Sequence, residues 1–349
     1  MWGTASICTT SSKPPGTGND TAATWLERRA AGLAMTRRGF LLAAAAAGSG
    51  LRAAFPDISC IGANTAISGY GLFDAIALLR DLGFQTIEIH PMGVPEATPG
   101  IFPGFQFDRL DNGMKRRIRE ALRPFPQVTA HLPYAELHYF SRNQPIAEFS
   151  ARQVEIALEG AAYFGAKLAV VHPMEPSGYS PEEGWKVMLD RFHRWGDLAG
   201  RHGIRLAVET GYPRSVGAFV KLVRDVNHPW VGATVDVGHQ AQYEELAARV
   251  RPDERATPEG IRAYNDTTIA IVEQLGAKTF HLHVHDIDPN TWKEHQPFGT
   301  GFVDYPRLIA ALRKAGYTGS LMIEIGAPAA EMRRHLADAK ARLEAYLKR

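Results

Sequence analysis

The chain has almost no cysteine. Among its 349 residues only Cys8 and Cys60 carry a thiol. That excludes a disulfide scaffold and a cysteine-built zinc site. Any metal centre must therefore draw on His, Asp and Glu. An excess of either charge is also missing: 39 Lys and Arg face 37 Asp and Glu, a net charge of +2. There is thus no global basic field to suggest nucleic acid or an anionic membrane. The apolar run that begins at Phe40 is too short for a comfortable membrane span. What is present is an ordinary globular balance, 45% hydrophobic and 22% charged. The length suits one large domain or two ordinary ones.

The first residues do not read like the rest. Residues 1–34 are rich in Thr, Ser, Gly and Pro without a clear period, and are expected to be disordered or an upstream extension. The stretch "MTRRGFLLAAAAAGSG" comes next, from Met35 to Gly50. Arg37 and Arg38 stand before Phe40, Leu41, Leu42 and an alanine run, which resembles a twin-arginine export signal over residues 35–54. A short surface helix is the plainer alternative. An export signal implies a periplasmic protein with no stable membrane insertion after processing, cleaved between Ala47 and Phe55. Met35 is then a candidate true start.

From Ile58 onward short β-branched runs alternate with longer amphipathic segments. Strands are expected at 58–66, 85–91, 127–133, 167–173, 205–210, 231–238, 278–286 and 320–326. Helical spacing is clear at 72–83, 150–165 and 305–316, each ending in Gly. Eight strand–helix units predict an α/β fold closed as a (β/α)₈ TIM barrel, one domain over residues 56–349. An open doubly wound sheet would want a Gly-rich phosphate loop after the first strand. "GANTAISGYG" is a poor match to one.

The stretch "FHLHVHDID", 280–288, places His281, His283 and His285 at every second position. On a strand they share a face. Alone, that is as readily hydrogen-bonded structure as a metal site. The other strand ends add Glu88, His90, His131, His172, Glu209, Asp236 and Glu324, with His239 three residues beyond Asp236. A barrel gathers these ends at one mouth, where active sites sit. Burying so many carboxylates and imidazoles together is costly without a cation, so a metal centre is expected.

"AVET", "VDVGH", "HLHVHD" and "LMIEIG", in this order, resemble the xylose-isomerase-like TIM barrel superfamily. That group holds sugar and sugar-phosphate isomerases and epimerases, inosose dehydratases and endonuclease-IV-type abasic-site nucleases. The tail at 299–325 is similar to its isomerase-like members. The resemblance spans about residues 58–345. It implies one divalent metal on Glu209, Asp236, His283 and Glu324. It gives His131, His172, His239 and His295 to substrate or a second metal, with Glu88, His90 and His285 as further candidate substrate contacts. His281 is expected to pack inside the barrel. Two positions depart from family patterns. Lys293 stands where the nucleases keep an Asp ligand, and Pro289 stands where some ketose epimerases keep an Arg. Tyr134 does resemble a nuclease position.

Such an oxygen-rich donor set suits Mn²⁺, Mg²⁺ or Co²⁺, and admits Zn²⁺. The implied activity is a metal-dependent sugar isomerase or epimerase, with Glu209 and Glu324 as catalytic carboxylates that move a proton next to a carbonyl. A dehydratase or lyase on a keto-sugar would use the same site. A phosphodiesterase on abasic DNA would need a basic surface and a complete metal cluster. A non-catalytic sugar-binding barrel would not need the ligand set. The expected partner is a small sugar, without nucleic acid; a homo-oligomer is left open.

Overall fold

A computed structural model describes Ile58 and residues 60–349. The expected extension at 1–34 and the expected export signal at 35–54 lie outside the described residues.

Eight strands close into a parallel barrel in sequence order. They are β1 (Ile61–Asn64), β2 (Thr86–Ile89), β3 (Gln127–His131), β4 (Leu168–Val171), β5 (Arg205–Glu209), β6 (Val231–Asp236), β7 (Thr279–Val284) and β8 (Leu321–Ile323). Each is shorter than its expected segment, because hydrogen-bonded pairing stops where the chain turns into the loops. The helices are α1 (Leu72–Asp81), α2 (Asn112–Leu122), α3 (Gln144–Tyr163), α4 (Pro181–Arg201), α5 (Val216–Val226), α6 (Glu244–Arg249), α7 (Pro258–Leu275), α8 (Tyr305–Lys314) and α9 (Ala329–Leu347). Helix α3 starts six residues before the apolar period makes it visible. Pro145 sits in its first turn, where a missing N–H costs nothing.

The main core lies between the barrel's outer face and the helices. Leu206, Val208, Ala233 and Val235 belong to it, packed with Phe192, Trp195 and Phe219. The alternate strand residues point inward. Leu168, Val170 and Ala207 form a small apolar layer with Phe280. Above it the interior turns polar.

One irregularity sets which way β7 faces. Ala233 pairs with Thr279, but Thr234 pairs with His281, so Phe280 is an extra residue. A bulge of this kind re-aims the side chains beyond it. It sends His281 and His283 inward and sets His283 directly beside Asp236.

The far side of the loop after β7 is tied back to the strand end by Asp286. Asp286 accepts backbone N–H bonds from Gly299 and Gly301 on Oδ2, and from Ile287 and Val303 on Oδ1. Gly301 must be glycine: a Cβ there would meet Asp286 Oδ1 at 2.3 Å. Asp286→Ala should strand these donors and lower stability by about 3 kcal/mol or more. The urea midpoint measures this, and a shift under about 1 kcal/mol would show that water replaces the carboxylate without loss.

Candidate active site

Five of the side chains placed at strand ends converge on one point. Glu209 from β5, Asp236 from β6, His283 from β7 and Glu324 just after β8 each offer an atom, all within 4.8 Å of one another. Around His283 Nδ1 stand Glu209 Oε1 at 2.6 Å, Glu324 Oε2 at 3.0 Å and Asp236 Oδ2 at 3.8 Å. The fifth, Glu88, approaches from behind. Its Oε1 is 3.0 Å from His283 Nε2.

This geometry tests the fit of a cation. Glu88 can only accept, so the ring proton belongs on Nε2. A neutral His283 then turns its Nδ1 lone pair toward three carboxylates. That is repulsive unless a second proton or a metal ion lies between them. Glu209 Oε2 is also buried without a hydrogen bond of good direction, although His172 Nε2 is 2.8 Å away. An oxygen-rich quartet with an unspent carboxylate oxygen fits a hard or borderline divalent cation.

The charges respond as expected for the metal-free protein. Burial opposes ionisation of Glu324, but the His283 charge and hydrogen bond outweigh it, helped by His295 and His131, and hold the carboxyl at about 2. Burial likewise disfavours charge on His283, yet Glu324, Glu88 and Glu209 push it well above the ordinary imidazole value. His239 obeys the same rule. Burial is outweighed by Asp236, Glu209 and Glu294, which raise it to about 9.

His131, His172 and His239 border the quartet. His131 gives its Nδ1–H to Leu132 O at 3.1 Å and turns Nε2 toward Glu209 Oε2, 3.5 Å away. His172 Nε2 lies 3.3 Å from His131 Nε2. His239 gives its Nδ1–H to Thr210 O at 2.6 Å, leaving Nε2 3.9 Å from Asp236 Oδ1. His295, at φ 59°, packs its ring 4.5 Å from that of His285. Tyr134 stacks on His172 at 4.1 Å. A cavity of about 350 Å³ opens beside His172 and His239, bordered by Tyr212, Arg214 and Glu294.

Three candidates for substrate contact are placed otherwise. Glu88 has no exposed surface and spends its oxygens on Thr129, His281 and His283, so it lies beneath the site. His285 is also fully buried. Its Nδ1 stands between the His295 N–H at 3.0 Å and Asp286 O at 3.1 Å, and its Nε2 faces Asp236 Oδ1 at 3.1 Å; that carboxylate can only accept, so Nε2 carries a proton. It braces Asp236 and the loop. His90 is 2% exposed, bonded to Thr65 and stacked between Phe102 and His131. His281 lies inside the barrel but is bonded there, to Glu88 Oε2 at 3.1 Å. These roles were hidden because strand alternation gives a side chain's face, not its depth. The loop-holding role of Asp286 was hidden too, since its partners are backbone groups far along the chain.

A separate group, His193, Asp197 and His228, is also compact enough for an ion. There the Trp230 N–H donates to His228 Nδ1, which fixes the remaining proton on Nε2, facing Asp197 at 3.2 Å. That nitrogen is a donor, and the group is a hydrogen-bonded brace.

The metal-free protein should show two pH-dependent losses. Glu324 has a folded pKa of about 2, below its ordinary 4.5, so its contribution is complete above 4.5 and lost as pH falls toward 2. His239 has a folded pKa of about 9, above its ordinary 6.5, so its contribution is complete below 6.5 and lost as pH rises through 9. Urea midpoints across pH in chelator read both. Glu324→Gln should flatten the acid limb and His239→Gln the alkaline limb; unchanged limbs would refute the assignments.

Known proteins share this architecture. The family model described as "Xylose isomerase-like TIM barrel" matches residues 76–345. Among curated proteins, the uncharacterised protein MJ1311 of Methanocaldococcus jannaschii is 23% identical over 213 residues, covering 57% of this chain and 64% of that protein. L-ribulose-5-phosphate 3-epimerase UlaE of Salmonella typhimurium is 27% identical over 138 residues, covering 39% of this chain and 41% of the enzyme. The chain thus spans less than two thirds of either relative. Among solved structures, a D-tagatose 3-epimerase-like protein aligns with TM-score 0.63 and 18% identity, over 83% of this chain and 97% of its own. At that identity the likeness is one of fold.

Proposed function

The chain belongs to the xylose isomerase-like TIM barrel family, and on that premise we propose that it is a divalent-metal-dependent sugar epimerase or isomerase. One observation carries the reading: two ionised carboxylates, Glu209 and Glu324, reach the same imidazole nitrogen from the ends of separate strands. The epimerase names of UlaE and of the D-tagatose 3-epimerase-like structure support it. Glu209, Asp236, His283 and Glu324 would hold the ion, with Mn²⁺, Mg²⁺ or Co²⁺ best matched to the donors and Zn²⁺ admitted. When bound, such an ion supplies Lewis-acid polarisation of a sugar carbonyl and its neighbouring hydroxyl.

The chain's own residues do the proton work. Either glutamate can take the proton from the carbon next to the carbonyl, and the other can return one. His239, whose Nδ1–H is spent on Thr210 O, turns Nε2 toward the site and can donate through it to a substrate oxygen when protonated. His131, His172 and His295 are read as pocket residues that orient hydroxyls. A dehydratase or lyase would share the first step and differ in what leaves next.

Glu209→Gln and Glu324→Gln should each lower turnover by about 10²–10⁴-fold. Purified Mn²⁺-loaded protein, incubated with candidate keto-sugars in D₂O, should replace the α-proton. Neither variant should do so at a comparable rate. Wild-type protein that binds metal but exchanges no α-proton from any ketose would sink the reading. A second reading rests on His131, His172 and Glu209, which form a further group of ion-binding size. Two or three tightly bound metal ions per chain, instead of one, would favour the nuclease-type phosphodiesterase.

Export is part of the proposal. Arg37 and Arg38 before an apolar run read as a twin-arginine signal, which would put the enzyme in the periplasm with free sugars and glycosides. Changing both Arg to Lys should retain a tagged protein in the cytoplasm of a host with that pathway. A wild-type protein that also stays there would refute the signal.

A further inference from the structure

Glu88 is a buried charge that the proposed chemistry does not use. It has no exposed surface, and its three partners are 0 to 7% exposed. Oε1 accepts from His283 Nε2 at 3.0 Å, and Oε2 from Thr129 Oγ1 at 2.9 Å and His281 Nε2 at 3.1 Å. Both oxygens are thus spent and the side chain is locked. Stability alone is a weak reason for a carboxylate in such a place, because apolar packing of the same volume commonly does as well or better. Its orientation suggests another use. It lies on the far side of the His283 ring from Glu209 and Glu324. A group that can only accept, placed there, keeps a proton on Nε2 and leaves Nδ1 free as a ligand atom. His281 and Thr129 in turn hold the carboxylate.

We propose that Glu88, fixed by His281 and Thr129, is a positioning residue that sets the tautomer and aim of His283 and thereby the affinity of the site for its metal ion. This rests on the four-ligand reading of the site. Nothing in it requires Glu88 to touch substrate. The carboxylate also raises the electron density of the imidazole it accepts from, which strengthens Nδ1 as a donor.

Calorimetric titration of Mn²⁺ into the metal-free full chain tests this. Glu88→Gln keeps the shape and removes the charge. Its Kd for Mn²⁺ should rise about 10- to 100-fold, while circular dichroism of the metal-free variant stays that of the wild type. A folded Glu88→Gln protein with wild-type Kd overturns the proposal, because a merely structural role would lower thermal stability and leave affinity alone. Should that variant not fold, the wild type decides. With ¹⁵N-labelled histidine and Zn²⁺ bound, His283 should carry its proton on Nε2; a proton on Nδ1 overturns the proposal. Wild-type protein that binds Mn²⁺ but exchanges no sugar proton strikes the proposed chemistry and leaves this inference standing.

Discussion

The structure turns on one electrostatic constraint. Glu88, Glu209, Asp236 and Glu324 are gathered about a single imidazole, His283, in the interior of a closed barrel. Water is largely excluded there, and like charges repel more strongly than at a surface. One imidazolium can answer only part of that charge. The surrounding histidines answer more, but burial works against protonating each of them, as His90, held at about 4, illustrates. The arrangement makes physical sense as a receptacle for a concentrated positive charge that the chain itself does not carry.

The rest of the barrel can be read as support for this arrangement. The bulge at Phe280 turns the β7 histidines inward and seats His283 next to Asp236. Hydroxyls then tie down the backbone at the strand ends. Tyr305 Oη donates to His285 O at 2.6 Å, Tyr264 Oη to Gly238 O at 2.8 Å, and Tyr139 Oη to His172 O at 2.6 Å. Each of these three loops is therefore fixed within a residue or two of a site side chain. Gly238 lets the backbone pass close by: a Cβ there would lie 2.6 Å from His285 Cε1. Such anchoring limits drift of the site side chains, which the proposed metal site would require.

Much of this was legible in the sequence, for a definite reason. Parallel strands of a barrel all end on one side, so a list of polar strand ends is already a list of neighbours. The period-2 pattern of His281, His283 and His285 correctly places them on one face. Depth along that face is what the pattern lacks. His281, His283 and His285 occupy three successive levels of the interior. They meet Glu88, the three carboxylates of Glu209, Asp236 and Glu324, and the outer loop in turn. Only the closed barrel, with its stagger between strands, settles which level meets which partner. The start of α3 was hidden for a different reason, because its first turn is polar and opens on a proline.

These levels also separate tasks. At the lowest, Glu88 is entirely enclosed and all its partners are internal. At the middle level the carboxylates change character: the side chain of Glu209 is 1% exposed, while that of Glu324 is 22% exposed. Glu324 can therefore move toward a ligand in the mouth with little repacking, whereas Glu209 is confined by His131, His172 and His283. Two carboxylates with the same partner thus differ in freedom.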